Sequence, residues 1–286
     1  MRPVSVNHYE NFPVASLLCP AHLRPAVTVI YRFARTADDL ADEGAASAEQ
    51  RMADLDAFGR DLEAAAEGEP GSGRWPSVFE PLAGVIREKR LPVPLLHDLL
   101  GAFRQDLVKQ RYADRPELLD YCQRSANPVG RLMLHLYGVT DAASLRQSDA
   151  ICTALQLANF WQDVSIDVAR HRLYLPISDC RAHGLAPDDA LAGRDSPALR
   201  ETLRALVDWT RSLMQDGAPL VHRVPGRAGW ELRLVVQGGL RILDKVERLR
   251  FGVLARRPTL SAIDAPLMLA RALTMSAATG RVREAS

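Results

Sequence analysis

Two short stretches of this chain carry carboxylates at a spacing that could hold a metal ion. In the first, Y-R-F-A-R-T-A-D-D-L-A-D-E at 31–43, the left flank is apolar and charge gathers to the right. Read as a helix turning about 100° per residue, Tyr31, Arg35, Asp38 and Asp42 lie four, three and four positions apart and form one stripe. Like charges at that spacing repel by about 0.2–0.5 kcal/mol, so Asp38 and Asp42 call for a compensating cation, and a divalent ion is the natural one. Arg35 beside them makes sense if the site also takes a polyanion, which guanidinium grips with its planar fork. Taken alone, the stretch is explained equally well as a solvated acidic face.

The second stretch separates these readings. Gln156, Asn159, Asp163 and Asp167 follow one another at steps of three, four and four, while Ile151, Leu155, Leu157, Phe160, Trp161, Val164 and Ile166 make the rest of that surface apolar. The polar stripe is therefore expected inside, where carboxylates are costly unless paired or bound to metal. Oxygen donors without His or Cys suit Mg²⁺, which keeps several waters and is completed by substrate phosphates. Two helices, each with an Asp-x-x-x-Asp pair, could face each other across a cavity and hold a Mg²⁺ cluster around a diphosphate. That is a site for ionising a diphosphate ester, with the leaving group's charge neutralised. The carbocation left behind needs apolar and aromatic walls, which Phe33, Tyr121 and Phe160 could supply.

Helices must position these groups. Helical periodicity runs over His22–Ala41, Ala46–Glu67 and Val78–Lys89, with the G-E-P-G-S-G-R-W-P run at 68–76 as a loop. Pro92 and Pro94 open a Leu-rich helix ending near Tyr112, and Pro116 starts another that continues to Leu136. Pro128 should kink that helix at Asn127, freeing a carbonyl inside the protein. The most apolar helix spans Gln147–Val168, and the Pro- and Gly-punctuated segment 176–197 is long enough to act as a flap. Three helices follow, over 197–213, 228–255 and 261–280, while residues 1–21, with Ser5, His8 and Tyr9, read as an arm or short helix leading in. No period-two strand is evident, so the fold class is all-α, with 1–286 forming a single domain.

Composition narrows the function classes. The chain has 286 residues, is 47% apolar, and sets 36 basic against 35 acidic residues for a net charge of +1, which leaves no nucleic-acid footprint. Cys19, Cys122, Cys152 and Cys180 are scattered, so neither a zinc site nor a disulfide framework is indicated, and a reducing cytoplasm fits. No apolar core of signal-peptide length precedes the first acidic residue, so no secretory signal is expected, and no charge-free run reaches transmembrane length. A greasy substrate would call for a peripheral contact at the inner membrane face, which the sequence does not display.

Three blocks of this chain resemble the squalene/phytoene synthase family: Y-R-F-A-R-T-A-D-D-L-A-D at 31–42, Y-C-Q-R-S-A-N-P-V-G at 121–130, and Q-L-A-N-F-W-Q-D-V-S-I-D with H-R-L-Y-L-P at 156–176. The resemblance implies a helical class I isoprenoid synthase bundle with a central cavity. It implies that Asp38, Asp42, Asn159, Asp163 and Asp167 bind three Mg²⁺ ions with the substrate diphosphate, with Arg35 and Gln156 alongside. By the same comparison Tyr121 lines the cation pocket, Arg172 and Tyr174 sit near the diphosphate, and Ser5 and Tyr31 contact substrate. Asn127-Pro128 and Gln162 depart from the common pattern and are expected at the pocket. Together with the arm S-V-N-H-Y-E-N-F-P-V-A-S at 5–16, they look like the bacterial hydroxysqualene synthase branch. That branch takes presqualene diphosphate, ionises it and traps the rearranged cation with water, without NADPH. Its partners make presqualene diphosphate and reduce hydroxysqualene in hopanoid and squalene biosynthesis. No G-x-G-x-x-G is seen after a strand, consistent with the absence of NADPH. Asn127 could position the water, or merely cap broken backbone.

Other readings stay open at this point. The shared motifs serve equally a head-to-head condensation of two prenyl diphosphates to presqualene diphosphate, dehydrosqualene or phytoene. A non-catalytic helical partner of another prenyl-pathway enzyme would keep the fold without the chemistry, although the intact aspartates argue against it. His97-Asp98 reads as a surface pair rather than a phosphohydrolase motif, and no Glu-x-x-His supports a di-iron bundle. The basic run from Lys245 to Arg257 reads as a solvated helix end.

Overall fold

Every regular element among residues 19–275, the part described by the computed structural model, is helical. In chain order these are α1 (Arg24–Asp42), α2 (Ala48–Glu67), α3 (Pro76–Lys89), α4 (Val93–Val108), α5 (Arg115–Ser125), α6 (Asn127–Leu136), α7 (Ala142–Gln162), α8 (Val164–Ala169), α9 (Ile177–Ala182), α10 (Pro187–Leu191), α11 (Pro197–Gly217), α12 (Gly226–Arg248) and α13 (Ala265–Leu273). Side-chain caps set several starts. Ser47 accepts from the Gln50 amide, Asp114 from Glu117, Asp141 from Ser144 and Ser196 from Leu199, each satisfying a donor that the first turn leaves unpaired.

Helix α7 is the axis of the molecule, packing on α5, α6, α11 and α12. It buries Ile151, Ala154, Leu157, Ala158, Phe160 and Trp161 around its circumference, as a helix enclosed on all sides must. Close approach to its neighbours depends on two glycines. A Cβ at Gly217 of α11 would fall 2.6 Å from the Gln147 carbonyl oxygen, and one at Gly130 of α6 would fall 2.4 Å from Ser148 Oγ. A second core joins α1 to α4, where Phe58 packs in tilted contacts on Phe33 and Phe79 and edge-on against Trp75.

Several boundaries differ from those the sequence predicts. Helix α4 stops at Val108, four residues before Tyr112, because 110–113 instead runs beside 173–178. Leu173 N donates to Gln110 O at 2.8 Å, Ile177 N to Tyr112 O at 3.0 Å and Ser178 N to Ala113 O at 2.9 Å. The Asn127-Pro128 kink is present, with Ala126 (φ −117°, ψ −47°) parting α5 from α6. The expected helix over 147–168 begins earlier and breaks at Asp163 (φ −103°, ψ 13°) into α7 and α8. The expected flap over 176–197 is packed structure: α9 and α10 bury Cys180 and Ala190 in the core formed with α11. Helix α12 ends at Arg248 rather than 255, and α13 starts at Ala265 rather than 261.

Candidate active site

A cavity of about 220 Å³ opens between α1, α4, α5, α6 and α7. Its polar lining comes from Asp38 and Asp42 of α1, Asp106 of α4, Tyr121 and Ser125 of α5, Gln156 of α7, and Arg172 after α8. Leu99, Phe103, Val129 and Leu155 supply the apolar remainder. A smaller crevice beside it brings together Asp167, Arg172, Phe160 and Tyr174. Arg172 lines both.

Guanidinium groups hold the aspartates. Arg172 reaches Asp42 with Nη2 at 2.8 Å and Nη1 at 3.3 Å, and Arg170 adds a contact at 3.3 Å. Burial opposes the charge on Asp42, but Arg172, Arg170 and Arg51 outweigh it and keep this carboxyl below its usual range. Arg35 contacts Asp38 at 3.2 Å, Asp39 at 2.6 Å and Glu43 at 2.5 Å. At the other pair, Arg257 grips Asp163 in a two-pronged contact, Nε to Oδ1 at 2.5 Å and Nη2 to Oδ2 at 3.2 Å. Asp167 differs: burial, reinforced by the charge of Asp163, pushes it up to about 7 despite Arg172 and Arg170.

Tyrosines form the opposite wall. The Tyr121 hydroxyl donates to Asp106 Oδ2 at 2.8 Å, and Tyr174 stacks on Phe160 with centroids 3.8 Å apart and planes 5° from parallel. Burial pushes both phenols well above their ordinary range, so both stay neutral. Burial also raises Asp106 to about 7, with Asp42 and Asp38 adding to the effect and Tyr121 and Arg172 opposing it. Its Oδ1, like Ser125 Oγ, is buried without a hydrogen-bond partner.

Several residues expected at the site do not line the cavity. Asn127 is buried with Oδ1 accepting from Thr153 Oγ1 at 3.0 Å and does not line the cavity; Ser125, Ala126 and Val129 of the same kink do. Gln162 is also buried away from it, donating to the Pro258 carbonyl at 2.7 Å. Phe33 is locked in the α1–α4 core and Tyr31 packs against it, while Arg35 is engaged with carboxylates of its own helix end. Asn159 is half-buried outside the cavity lining, and its backbone carbonyl receives the Asp163 amide at 2.8 Å. Ser5 lies outside the described residues. The basic run is not simply a solvated end, since Arg257 reaches Asp163 and Lys245 bonds Asp264 at 2.5 Å.

Asp106 escaped the sequence reading, although a signal was there: it lies seven residues after Leu99 and three after Phe103, on the apolar stripe of α4, where an unpartnered acid is out of place. Arg257 gave no local signal, because its partner is 94 positions away.

The donor set fits a hard cation that arrives with phosphate. No three His, Cys, Asp or Glu side chains among the described residues converge to hold a metal by themselves, so the expected cluster is not assembled from protein donors alone. Mg²⁺ accepts such a site, one or two carboxylates with phosphate oxygens and water completing the shell. Asp167 is raised chiefly by burial, with the charge of Asp163 adding to it.

Comparison with known proteins agrees with this geometry. The family model described as squalene/phytoene synthase matches residues 6–264. The chain is 35% identical over 249 residues to a hydroxysqualene synthase of Rhodopseudomonas palustris, covering 86% of this chain and 82% of that one. It is 32% identical over 266 residues to a phytoene synthase of Thermus thermophilus, covering 93% and 88%. Among solved structures, the squalene synthase HpnC from Alicyclobacillus acidocaldarius superposes with a TM-score of 0.78 at 40% identity, over 85% of this chain and 90% of that chain. The matched span takes in both aspartate pairs, the kink between α5 and α6 and the arginines between them: the chain is an isoprenoid synthase that belongs to the squalene/phytoene synthase family.

Proposed function

We propose that this enzyme, acting as a single domain, converts presqualene diphosphate and water to hydroxysqualene and diphosphate. The observation that carries the reading is the position of Arg172, which lines both the cavity holding Asp38 and Asp42 and the crevice holding Asp167. One guanidinium thus stands between the two acidic pairs, drawing a polyanion toward both. Asp38, Asp42, Asp163 and Asp167, with Asn159, would hold Mg²⁺, which when bound neutralises charge on the diphosphate as the carbon–oxygen bond breaks. Arg172 orients the leaving group and Gln156 contributes a polar contact beside it. Tyr121, a neutral phenol, and Phe103 line the cavity and offer aromatic surface to the cation, and the Leu- and Val-lined remainder of the cavity excludes bulk water.

Similarity to the hydroxysqualene synthases favours capture by water over reductive completion, so no NADPH is required. No described helix is long and apolar enough to cross a membrane, and a lipid substrate would be met at a surface contact. The test is incubation of the purified protein with Mg²⁺ and no NADPH, with farnesyl diphosphate in one reaction and presqualene diphosphate in another. Hydroxysqualene from the second alone is the expected result. Presqualene diphosphate or a C30 polyene from the first would move the protein to the condensing branch, and no diphosphate release in either would leave a non-catalytic partner.

A further inference from the structure

Two polar atoms in the wall of the cavity lack partners that protein chemistry ordinarily supplies. Asp106 Oδ1 and Ser125 Oγ are both shielded from solvent, and neither has a hydrogen-bond partner. They come from the packed pair α4 and α5, and both residues line the same cavity. Tyr121 lines the same cavity, four residues before Ser125 on the same face of α5, with its hydroxyl committed to Asp106 Oδ2 at 2.8 Å. Buried polar atoms are almost always satisfied, by protein or by ordered water, so two orphans in one wall point to a small ligand that donates to one and accepts from the other. A hydroxyl and a carboxylate are complementary to a single water molecule. Asn127, the residue at the kink with the same hydrogen-bonding versatility, accepts from Thr153 and does not line the cavity.

We propose that Asp106 and Ser125 hold the water that captures the carbocation and that Asp106 takes its proton. This rests on the hydroxysqualene reading above. Ser125 directs a lone pair of the water oxygen by donating to it. The other lone pair forms the new carbon–oxygen bond, and the water proton facing Asp106 passes to the carboxylate as that bond forms. Cation, water and carboxylate thereby become alcohol and carboxylic acid, with no oxidant or reductant consumed. The proton leaves to solvent when the product does. Tyr121, by bonding only Oδ2, leaves Oδ1 to the water.

The test is the ratio of hydroxysqualene formed to diphosphate released from presqualene diphosphate, a quantity that a merely structural role would not move. In Asp106→Asn the ratio should fall at least about tenfold, with C30 hydrocarbons appearing as the cation loses a proton instead. Ser125→Ala, a small change that α5 tolerates, should lower the ratio severalfold, and it keeps the question open to measurement if the Asp106 variant does not fold. An unchanged ratio in Ser125→Ala together with either an unchanged ratio or a lost diphosphate release in folded Asp106→Asn would overturn the assignment. If the unaltered enzyme releases diphosphate but forms no alcohol, it is the hydroxysqualene reading that fails, and the two failures are thus told apart.

Discussion

The two aspartate pairs have the same i, i+4 spacing and opposite mechanics. Asp38 and Asp42 stand on the last turn and a half of an unbroken helix, and Asp42 is held ionised by Arg172 and Arg170. Asp163 is the joint between α7 and α8, so Asp167 projects from a different helix from the one that carries Gln156 and Asn159. The first pair has its positive charge supplied from close by. In the second, Arg257 bridges Asp163, while burial and the charge of Asp163 push Asp167 up to about 7 against Arg172 and Arg170. Equal spacing therefore does not mean equal surroundings: arginines hold Asp42 ionised, whereas burial dominates at Asp167.

The strongest challenge to this comparison is to remove one charge from each pair. Asp38→Asn and Asp163→Asn should each lower turnover by several orders of magnitude while the melting temperature stays within a few degrees, because the amide keeps the side chain's size. Near-normal turnover in either would dissociate that pair from the chemistry. Next in size, Arg172→Gln should reduce kcat/KM on the order of a hundredfold, since this guanidinium serves both pairs. Arg257→Gln, acting at one pair, should cost less, and a reversal of that order in steady-state kinetics would shift the diphosphate toward α8.

Proton release sharpens the contrast further. A carboxyl raised to about 7 is protonated below that pH, and a bound cation favours its ionised form, so Mg²⁺ with inorganic diphosphate should expel a proton from Asp167 at pH 6 and none at pH 9. Asp42, already ionised at both, contributes nothing. Asp167→Asn should reduce the pH 6 release in a weakly buffered titration, Asp106, also raised to about 7, and the diphosphate itself supplying the remainder, whereas an unchanged release would place the proton elsewhere. The smallest expected effect is on the joint: Gln162→Leu should lose about 1 kcal/mol of stability in a denaturant melt by stranding the Pro258 carbonyl.

Much of this was legible in the sequence where the signal is local. Apolar periodicity and proline placement gave the helices, and Asn127-Pro128 gave the kink. The break at Asp163 was not, because V-S-I-D-V-A continues the helical pattern and only φ and ψ at Asp163 reveal the turn. The packing of α9 and α10 was hidden by their prolines and glycines, which resemble those of a loose loop until Cys180 and Ala190 are seen to be buried. At the site, residues matching on one helix face were readable, while Arg257 and the pairing of 110–113 with 173–178 depend on contacts across long stretches of chain. Gln162 was misplaced because adjacent positions on a helix point about 100° apart, so the neighbour of a site residue can face the core.

The backbone bonds joining 110–113 to 173–178 have one more consequence. They fix the strip carrying Arg172 and Tyr174 to the segment just after α4, which begins four residues beyond Asp106, before any substrate arrives. Ordering a loop residue costs about 1–2 kcal/mol in backbone entropy, a penalty that a binding site made from free chain would deduct from its affinity. Here folding has already absorbed it, so the binding energy of a diphosphate can go to orienting the bond that breaks.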